Sequence, residues 1–322
     1  MGLQIARLLS QRGANVVIVA RDAKKLQVAL EAVRECAKNP STQRFTTISA
    51  DVSSESENER LLAEATAWNH NRVPDVVWTN AGTSQPQLFL ESSVETLRKQ
   101  MDINYWSHVY LAHKTLKAWL YPDTPYNMDA SPKSGKPKSE LPRHFIMTSS
   151  SVAFVNVGGY ATYGPAKSAL RALADSLRSE ILMYNGARRS KNNTKQAPAP
   201  FDVNIQIVFP GTVTSPGLEN ENKTKHPITH ALESGDPVQS ELVAATAAIK
   251  GLEAGKYSVP TNWLGKLMRL SSMGGIPRDN LFVDTFGQWL TSILWLFIWP
   301  DLDSKVWEWG KKEGMQPLKT PA

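Results

Sequence analysis

Cysteine is nearly absent from this chain, which has one, Cys36, in 322 residues. A single cysteine excludes an internal disulfide and fits a reducing compartment. No group of cysteines and histidines has the spacing of a metal site, so we predict no metal. The N-terminal residues contain no long apolar run of the kind that a signal peptide carries. The net charge of +6 is mild and dispersed, which argues against a nucleic-acid partner.

One stretch combines a strand, a serine run and the start of a helix. An apolar strand is predicted at 144–148, Ser150 follows it, and Tyr163 and Lys167 come later at a four-residue spacing. Residues four apart share one face of a helix. A cation ~4 Å from the phenol, at an effective dielectric of ~20, favours the phenolate by up to about 4 kcal/mol. We therefore expect Lys167 to lower the pKa of Tyr163 toward neutrality, where it suits proton transfer.

A second copy of the spacing, Tyr110 and Lys114, tests how specific this pattern is. It has Leu97 where the first copy has Ser150, thirteen residues before the tyrosine, and no strand leads into it. We interpret this second copy as structural. The spacing alone therefore predicts little, and the surroundings of Tyr163 carry the argument.

Apolar β-branched runs alternate with helical segments along the first 210 residues. Strands are predicted at 14–20, 45–50, 74–79, 144–148 and 202–209, with polar insertions at 122–142 and 186–200. This alternation is typical of a Rossmann-like α/β fold, a doubly wound parallel sheet. Ligands of such sheets bind beyond the carboxyl ends of the strands. Polar or turn-forming residues follow five predicted strand ends: Arg21, Asp51, Asn80, Ser150 and Pro210–Gly211.

Arg21 bears on the choice of cofactor. A basic residue after the second strand of a dinucleotide-binding sheet suits a 2′-phosphate, whereas an acidic one suits a free ribose hydroxyl. Arg21, with Lys25, therefore favours NADPH over NADH. The alternative is a plain surface charge at the start of a helix.

The order of these motifs resembles the short-chain dehydrogenase/reductase family over roughly residues 2–260. The resemblance rests on Asn80-Ala81-Gly82, Asn104, the serine run, Tyr163-x-x-x-Lys167 and Pro210-Gly211. It implies that Tyr163 is the proton donor, that Lys167 assists it and holds the nicotinamide ribose, and that Ser150 binds the carbonyl oxygen. Ser149 is the neighbour that could be mistaken for Ser150.

The same resemblance assigns the remaining residues of the site. Asn104 anchors a proton-relay water beside Lys167, although a helix break is the alternative reading. The cofactor-binding residues that it implies are Gly2, Arg21, Lys25, Asp51, Val52, Asn80, Ala81, Gly82, Tyr163, Lys167, Pro210 and Gly211. For Asn80–Gly82 and Pro210–Gly211, simple turn formation remains an alternative.

A narrower resemblance begins after the last predicted strand. The loop at 210–229, Tyr163-Gly-Pro-Ala-Lys167 and Met101-Asp-Ile-Asn-Tyr105 are similar to segments of fungal 3-ketodihydrosphingosine (3-ketosphinganine) reductases. This implies NADPH-dependent reduction of a long-chain sphingoid-base ketone at the cytosolic face of the endoplasmic reticulum membrane. Two alternatives stay open: another lipid or steroid carbonyl reductase of the same family, and a membrane-associated relative that lacks a working cofactor site. A homodimer is one arrangement that the sequence leaves open.

The C-terminal segment, residues 261–322, differs from the predicted catalytic domain at 1–260. Six of the ten tryptophans lie in it, and residues 286–299 are apolar except for three polar side chains. A run of this length more often marks an interfacial or buried helix than a span, which needs about 20 residues. Tryptophan at both ends suits a membrane interface. We favour an interfacial or re-entrant anchor; a full span and a helix packed on the domain or at a dimer seam are the alternatives.

The family's cofactor motif, Thr-Gly-x-x-x-Gly-x-Gly, is largely missing. Gly2 falls where its last glycine belongs, and the strand that precedes the motif is absent. Those glycines let the backbone approach the pyrophosphate, and the strand is the central one of the sheet. We therefore expect a gap in the sheet, and we expect the 322-residue chain as written to bind NADPH poorly and to be unstable.

Overall fold

The computed structural model describes residues 1–123, 141–190 and 197–314. The predicted insertion at 122–142 lies largely outside the described residues, and the one at 186–200 lies outside them only at 191–196. The first half of the chain contains α1 (Gly2–Ser10), β1 (Val16–Ala20), α2 (Ala23–Arg34), β2 (Phe45–Ser49), α3 (Glu55–Trp68), β3 (Val76–Thr79), α4 (Val94–Met101) and α5 (Ser107–Leu120). The second half contains β4 (Arg143–Thr148), α6 (Gly164–Ala187), β5 (Val203–Phe209), β6 (Val213–Thr214), α7 (Pro216–Thr224), α8 (Pro227–Leu232), β7 (Gln239–Ser240), α9 (Glu241–Glu253), β8 (Ser258–Pro260), α10 (Trp263–Ser271) and α11 (Leu281–Glu313).

The main strands form two parallel sheets rather than one. A four-stranded sheet has the order β3-β4-β5-β8, and β1 pairs with β2 in a two-stranded sheet. The short strands β6 and β7 pair separately. Among the described residues β1 pairs only with β2 and β3 only with β4, so each leaves an edge without a ladder. The doubly wound parallel class is confirmed, and the expected gap lies between β1 and β3.

Helix pairs connect the two sheets on both faces. On one face α1 packs against α9, and the amino group of Met1 lies 3.1 Å from the Glu241 carboxylate. On the other face α3 packs against α5, where Lys114 Nζ lies 2.9 Å from Glu59 Oε2. These contacts hold the carboxyl ends of both sheets toward one side of the molecule.

The four-stranded sheet is buried on both faces, as its apolar strands require. Successive strand residues point to opposite sides, so Phe145 and Met147 of β4 pack in the cluster of α5 and α6. Ile146 points the other way and packs with Ala248 of α9. Burying a side chain of this size contributes about 1.5–3 kcal/mol. The sheet is therefore a rigid support for the residues that follow its strands.

Asn104 lies in a π-helical turn, Asp102–Trp106, that joins α4 to α5. The irregularity expected near Asn104 is this turn, and the helix continues through it. Such turns insert one extra residue and often occur at functional sites.

The C-terminal helix α11 has 33 residues and is about 50 Å long. It contains the predicted apolar run and, among the described residues, is the one helix long and apolar enough to cross a membrane. The last strand of the sheet, β8, ends at Pro260. The division into domains at residue 260 stays a prediction.

Candidate active site

A cavity of about 460 Å³ opens at the carboxyl ends of β3, β4 and β5. The predicted site residues that line it are Asn80, Gly82, Ser150, Tyr163, Lys167, Pro210 and Gly211. Each follows a strand of the four-stranded sheet or lies in the first turn of α6 or just before it. The sheet therefore places seven residues from distant parts of the chain around one space.

Ser150 and Tyr163 form the centre of this wall. Ser150 follows β4, and Tyr163 immediately precedes α6, where its phenol hydrogen-bonds with the Ser150 side chain. The neighbouring Ser149 is buried, and its hydroxyl donates to the carbonyl of Lys167 at 2.9 Å. Because Ser149 is occupied by the backbone, Ser150 is the serine that is available to a substrate.

The pKa of Tyr163 corrects one expectation. Burial of the phenol, together with the negative charge of Glu221, raises this pKa above its ordinary value, and the hydrogen bond with Ser150 opposes the rise. The sequence predicts the opposite direction, a pKa lowered by Lys167. The expected effect requires a nearby permanent cation, whereas Lys167 Nζ lies 5.6 Å from the centre of the tyrosine ring. Without a ligand, Tyr163 is therefore a protonated donor over the whole neutral range.

Lys167 is itself strongly perturbed. Its side chain is 3% exposed, and Nζ donates a hydrogen bond to the carbonyl oxygen of Thr148 at 3.1 Å. Burial lowers the pKa of this lysine to about 7. None of the described carboxylates forms an ion pair with it. Lys167 can thus take up and release a proton near neutral pH.

Asn104 lies directly behind Lys167. Its side chain is fully buried, donates to the carbonyl of Thr83 at 2.8 Å and accepts from the Thr83 amide at 3.1 Å. A Cβ at Gly82 would come within 2.8 Å of Asn104 Oδ1 and 3.3 Å of Lys167 Nζ. Only glycine fits at this position without displacing the other two groups. The sequence placed Asn104 near the site, and the structure brings it to the lysine.

His108 is a buried polar residue that the sequence did not single out. His108 lies one helical turn after Asn104. Its Nδ1 lies 2.6 Å from the Thr79 hydroxyl. Complete burial, with a smaller contribution from the Lys167 charge, holds its pKa well below the ordinary value. We therefore describe His108 as neutral.

A charged cluster on the opposite wall was also missed. The Tyr160 hydroxyl lies 2.7 Å from Glu221 and 2.5 Å from Glu233, and it has one hydrogen to donate between them. The positive charge of Lys225 offsets the repulsion between the two carboxylates, because its Nζ lies 3.0 Å from Glu221 and 2.6 Å from Glu233. Both carboxylates line the cavity. Glu221 belongs to α7 and Glu233 directly follows α8, and these two helices occupy much of the loop at 210–229.

The other predicted cofactor residues do not line the cavity, and four of them, Arg21, Lys25, Asp51 and Val52, follow the strands of the two-stranded sheet. Arg21 follows β1 and Asp51 follows β2. The hydrogen bonds from Ser53 lower the pKa of Asp51, burial opposes them, and the Arg21 charge adds a smaller lowering effect. Lys25 is exposed and lies 3.9 Å from Asp22. The remaining three are Val52, which packs on the β2 cluster, Ala81, which is exposed, and Gly2, which lies against Asn80. Their roles stay predictions.

The model of the short chain dehydrogenase family matches residues 1–226. The chain belongs to this family. It is 44% identical over 315 residues to a 3-ketodihydrosphingosine reductase of Aspergillus fumigatus, covering 98% of this chain and 83% of the relative. A reductase of the same name from Neurospora crassa is 42% identical, with 98% and 80% covered.

Solved structures agree with the fold. A short-chain dehydrogenase from Sphingobium yanoikuyae in complex with NADPH has a TM-score of 0.59 at 15% identity, covering 86% of this chain and 92% of that one. An alcohol dehydrogenase from Thermococcus sibiricus, complexed with 5-hydroxy-NADP, has a TM-score of 0.55 at 18% identity, with 80% and 89% covered. At these identities the likeness concerns the fold alone.

Proposed function

We propose that this protein reduces 3-ketosphinganine (3-ketodihydrosphingosine) to sphinganine in sphingolipid biosynthesis. One observation carries the proposal: the Ser150–Tyr163–Lys167 wall shares its cavity with an apolar wall formed by α10 and α11. Such a cavity fits a ketone that is attached to a long alkyl chain. The fungal relatives named for this reaction match nearly the full chain, which supports the same substrate.

The residues of the chain fit a nicotinamide cofactor at its two ends. Lys167 would hold the nicotinamide ribose, and Asn80, Gly82 and Pro210–Gly211 line the same cavity. At the other end Asp51 and Val52 suit the adenine. Between the two ends the helix α1 begins at Gly2 without a capping side chain, so its free N–H groups suit a phosphate. When bound, the cofactor supplies a hydride to the carbonyl carbon.

The protein groups supply the proton and the orientation. Tyr163 donates its proton to the carbonyl oxygen, and Ser150 donates a hydrogen bond to the same oxygen. Lys167, with its pKa of about 7, returns a proton to the tyrosine. Asn104 fixes the segment after Gly82 through its hydrogen bonds with Thr83, and it would anchor a proton-relay water beside Lys167. The product is the secondary alcohol, and one hydride and one proton are consumed.

We further propose that the cofactor is NADPH and that the reaction takes place on the cytosolic face of the endoplasmic reticulum. The exposed guanidinium of Arg21 and the ammonium of Lys25 are suited to a 2′-phosphate. The C-terminal apolar helix supports membrane association. Neither wall of the cavity requires a second copy, so a homodimer stays an open prediction.

The decisive experiment compares ketones and cofactors. Two forms would be assayed: the 322-residue chain, and the same chain extended by an apolar strand and a Thr-Gly-x-x-x-Gly loop of the family pattern. We expect NADPH-dependent reduction of 3-ketosphinganine by the extended form and weak NADPH binding by the chain as written. Preference for a steroid ketone would support the alternative reductase. If neither form binds NADPH at micromolar concentrations, a binding protein without a cofactor site is the better description.

The cofactor preference has its own test. Arg21→Asp should weaken NADPH binding at least about tenfold relative to NADH, because one charge-assisted contact contributes about 1.5–3 kcal/mol. The control Lys24→Asp changes a neighbouring exposed charge and should leave the ratio unaltered. Equal ratios for both variants would remove Arg21 from the cofactor site. The measurement is kcat/KM with each cofactor at a saturating ketone concentration.

A further inference from the structure

The long C-terminal helix α11 has one face docked along its length on the catalytic domain. Its residues that are not exposed are Asp284, Gly287, Gln288, Thr291, Trp295, Leu302 and Trp309. Six of these residues form two rows in which neighbours are seven residues apart. One row is Asp284 and Thr291, and the other is Gln288, Trp295, Leu302 and Trp309. Seven residues are nearly two helical turns, so the two adjoining rows form one continuous face.

Specific contacts attach both ends of this face. Near the start, Arg269 of α10 donates hydrogen bonds of 2.9 Å to both carboxylate oxygens of Asp284, and both residues are buried. One turn later Gly287 meets Leu270, where a Cβ would come within 2.9 Å of the leucine methyl carbons. Near the far end the Trp309 ring contacts His226 edge-on at 5.1 Å. From Asp284 to Trp309 the helix runs about 38 Å along the domain.

Between these attachments α11 forms part of the wall of the catalytic cavity. Leu294, Trp295, Ile298 and Leu302 line it, together with Leu264 and Met268 of α10. This apolar wall is built from the same helix that passes the length and composition test for a membrane.

The opposite face of α11 is apolar and uncovered. Phe282 is 83% exposed, Phe297 73% and Leu296 70%. Residues 282–299 extend about 27 Å before Pro300 and Asp301 end the apolar run. Nearby on α10, Trp263 is 60% exposed. Contiguous apolar patches of this extent mark a binding surface.

We propose that α11 lies in the plane of a phospholipid bilayer, with its outer face among the lipids and its inner face guiding the alkyl chain of the substrate into the cavity. A spanning orientation would separate Asp284 from Arg269 and open the cavity wall. The outer face is continuous with a wall that suits an alkyl chain, which makes lipid the occupant that fits both faces. The alkyl-chain part rests on the proposed function, whereas the membrane part does not.

Vesicle binding tests the outer face. The full chain should sediment with phosphatidylcholine vesicles. Phe297→Glu should lower the bound fraction at least about tenfold, because a charge replaces a phenyl group that is buried among the lipids when the protein is bound. Val28→Glu is the matched control, since Val28 on α2 is also 73% exposed. Equal vesicle binding by both variants would overturn the proposal. So would a dimer in vesicle-free sedimentation that only Phe297→Glu dissociates, since a second copy would then cover the face.

A tag after Ala322 tests the orientation. With the protein bound to the outside of sealed vesicles, added protease should remove the tag without detergent, because an in-plane helix keeps both of its ends on one side. Protection of the tag, with cleavage only after detergent, would show a spanning helix and overturn the in-plane arrangement.

Binding of amino alcohols tests the inner face without requiring turnover. Ile298→Gln should weaken binding of sphinganine about tenfold and leave a short-chain homologue unaffected, whereas Phe297→Gln on the outer face should change neither. Leu302→Gln serves as a second variant if Ile298→Gln lowers the melting temperature. If Ile298→Gln weakens binding of sphinganine and of the short-chain homologue equally, the inner face does not bind the alkyl chain and the proposal is overturned. If a long-chain alcohol without an amine binds and sphinganine does not, the proposed substrate is wrong but the inner face still binds an alkyl chain.

Discussion

The two copies of Tyr-x-x-x-Lys share a spacing and differ in nearly everything else. In α5, Tyr110 stacks on Trp106 at 5.8 Å, and Lys114 pairs with Glu59 and Glu55, which raises the pKa of the lysine. At the start of α6, Lys167 is buried with a backbone carbonyl as its hydrogen-bond partner, and its pKa falls to about 7. The lysine of one copy therefore forms a surface ion pair with two glutamates, whereas the lysine of the other copy is buried beside its tyrosine.

The difference arises from what precedes each helix. Tyr163 follows the end of β4 and the 3₁₀ turn Ser151–Ala153, so it lies at the carboxyl edge of the sheet beside Ser150. Tyr110 lies inside α5, and Leu97 thirteen residues earlier belongs to α4. Spacing on a helix only brings two side chains together. The sheet edge supplies the burial and the third group that change their chemistry.

The largest expected effect separates the two tyrosines. In the form of the protein that turns over, Tyr163→Phe should lower kcat by about 10²–10⁴, the usual range for a general acid, while NADPH binding stays largely intact. The ring and its packing are retained, so the loss is that of the proton. The measurement is kcat for ketone reduction together with NADPH affinity.

Tyr110→Phe is the matched control for this loss. Its hydroxyl has no place in the cavity wall, so turnover should stay within about twofold of the parent, as for most surface substitutions. Retained turnover in Tyr163→Phe, or a comparable loss in Tyr110→Phe, would contradict the assignment of the proton donor.

The next effect separates the two lysines through pH. Unfolded lysine titrates near ~10.4, whereas Lys167 titrates at about 7 when folded. Between these values the unfolded chain binds more protons, so stability rises with pH; below pH 7 both states are charged and the full cost of burial is present. Lys167→Met should remove this gain, about 2 kcal/mol between pH 7 and 9, and abolish turnover.

Lys114→Met provides the comparison. An ion pair that is 27% exposed on the lysine side contributes little to stability because solvent screens it, so its loss should change the free energy of unfolding little at either pH. Urea unfolding at pH 7 and 9 measures both variants. A parallel pH dependence in the parent and Lys167→Met would show that Lys167 is charged in the folded protein at pH 7.

Local sequence patterns predicted the helices and strands well, but they could not predict contacts between residues that are far apart in the chain. The run at 14–20 contains β1, and the break near Asn104 is the π turn, because both follow from nearby residues. The gap between β1 and β3 was also expected. By contrast, Glu221 meets Tyr160 from 61 residues further along the chain, and no local signal identifies such a partner. The direction of the Tyr163 pKa was wrong for the same reason, since burial depends on elements packed from elsewhere.

The same limit applies to α11. Its apolar composition indicated a membrane, but composition does not say which face docks. The buried pair of Arg269 and Asp284 decides that. Removing one partner of such a pair typically costs 3–5 kcal/mol, so the docked orientation is strongly favoured. The sequence could have suggested it through the seven-residue spacing of polar and small residues from Asp284 to Thr291.

The smallest expected effect concerns the charge that faces Tyr163. After burial, Glu221 is the second cause of the raised pKa of this tyrosine. Glu221→Gln removes the negative charge, so the pKa of Tyr163 should fall and the high-pH limb of the reduction rate should move to lower pH. The change in kcat/KM at neutral pH should stay below about tenfold, because the carboxylate acts only through space. Glu219→Gln, on the exposed side of α7, is the matched control and should leave the profile in place. A limb that moves to higher pH, or one that moves equally in both variants, would show that Glu221 does not set the proton affinity of Tyr163, and the contrast with Tyr110 would then rest on burial alone.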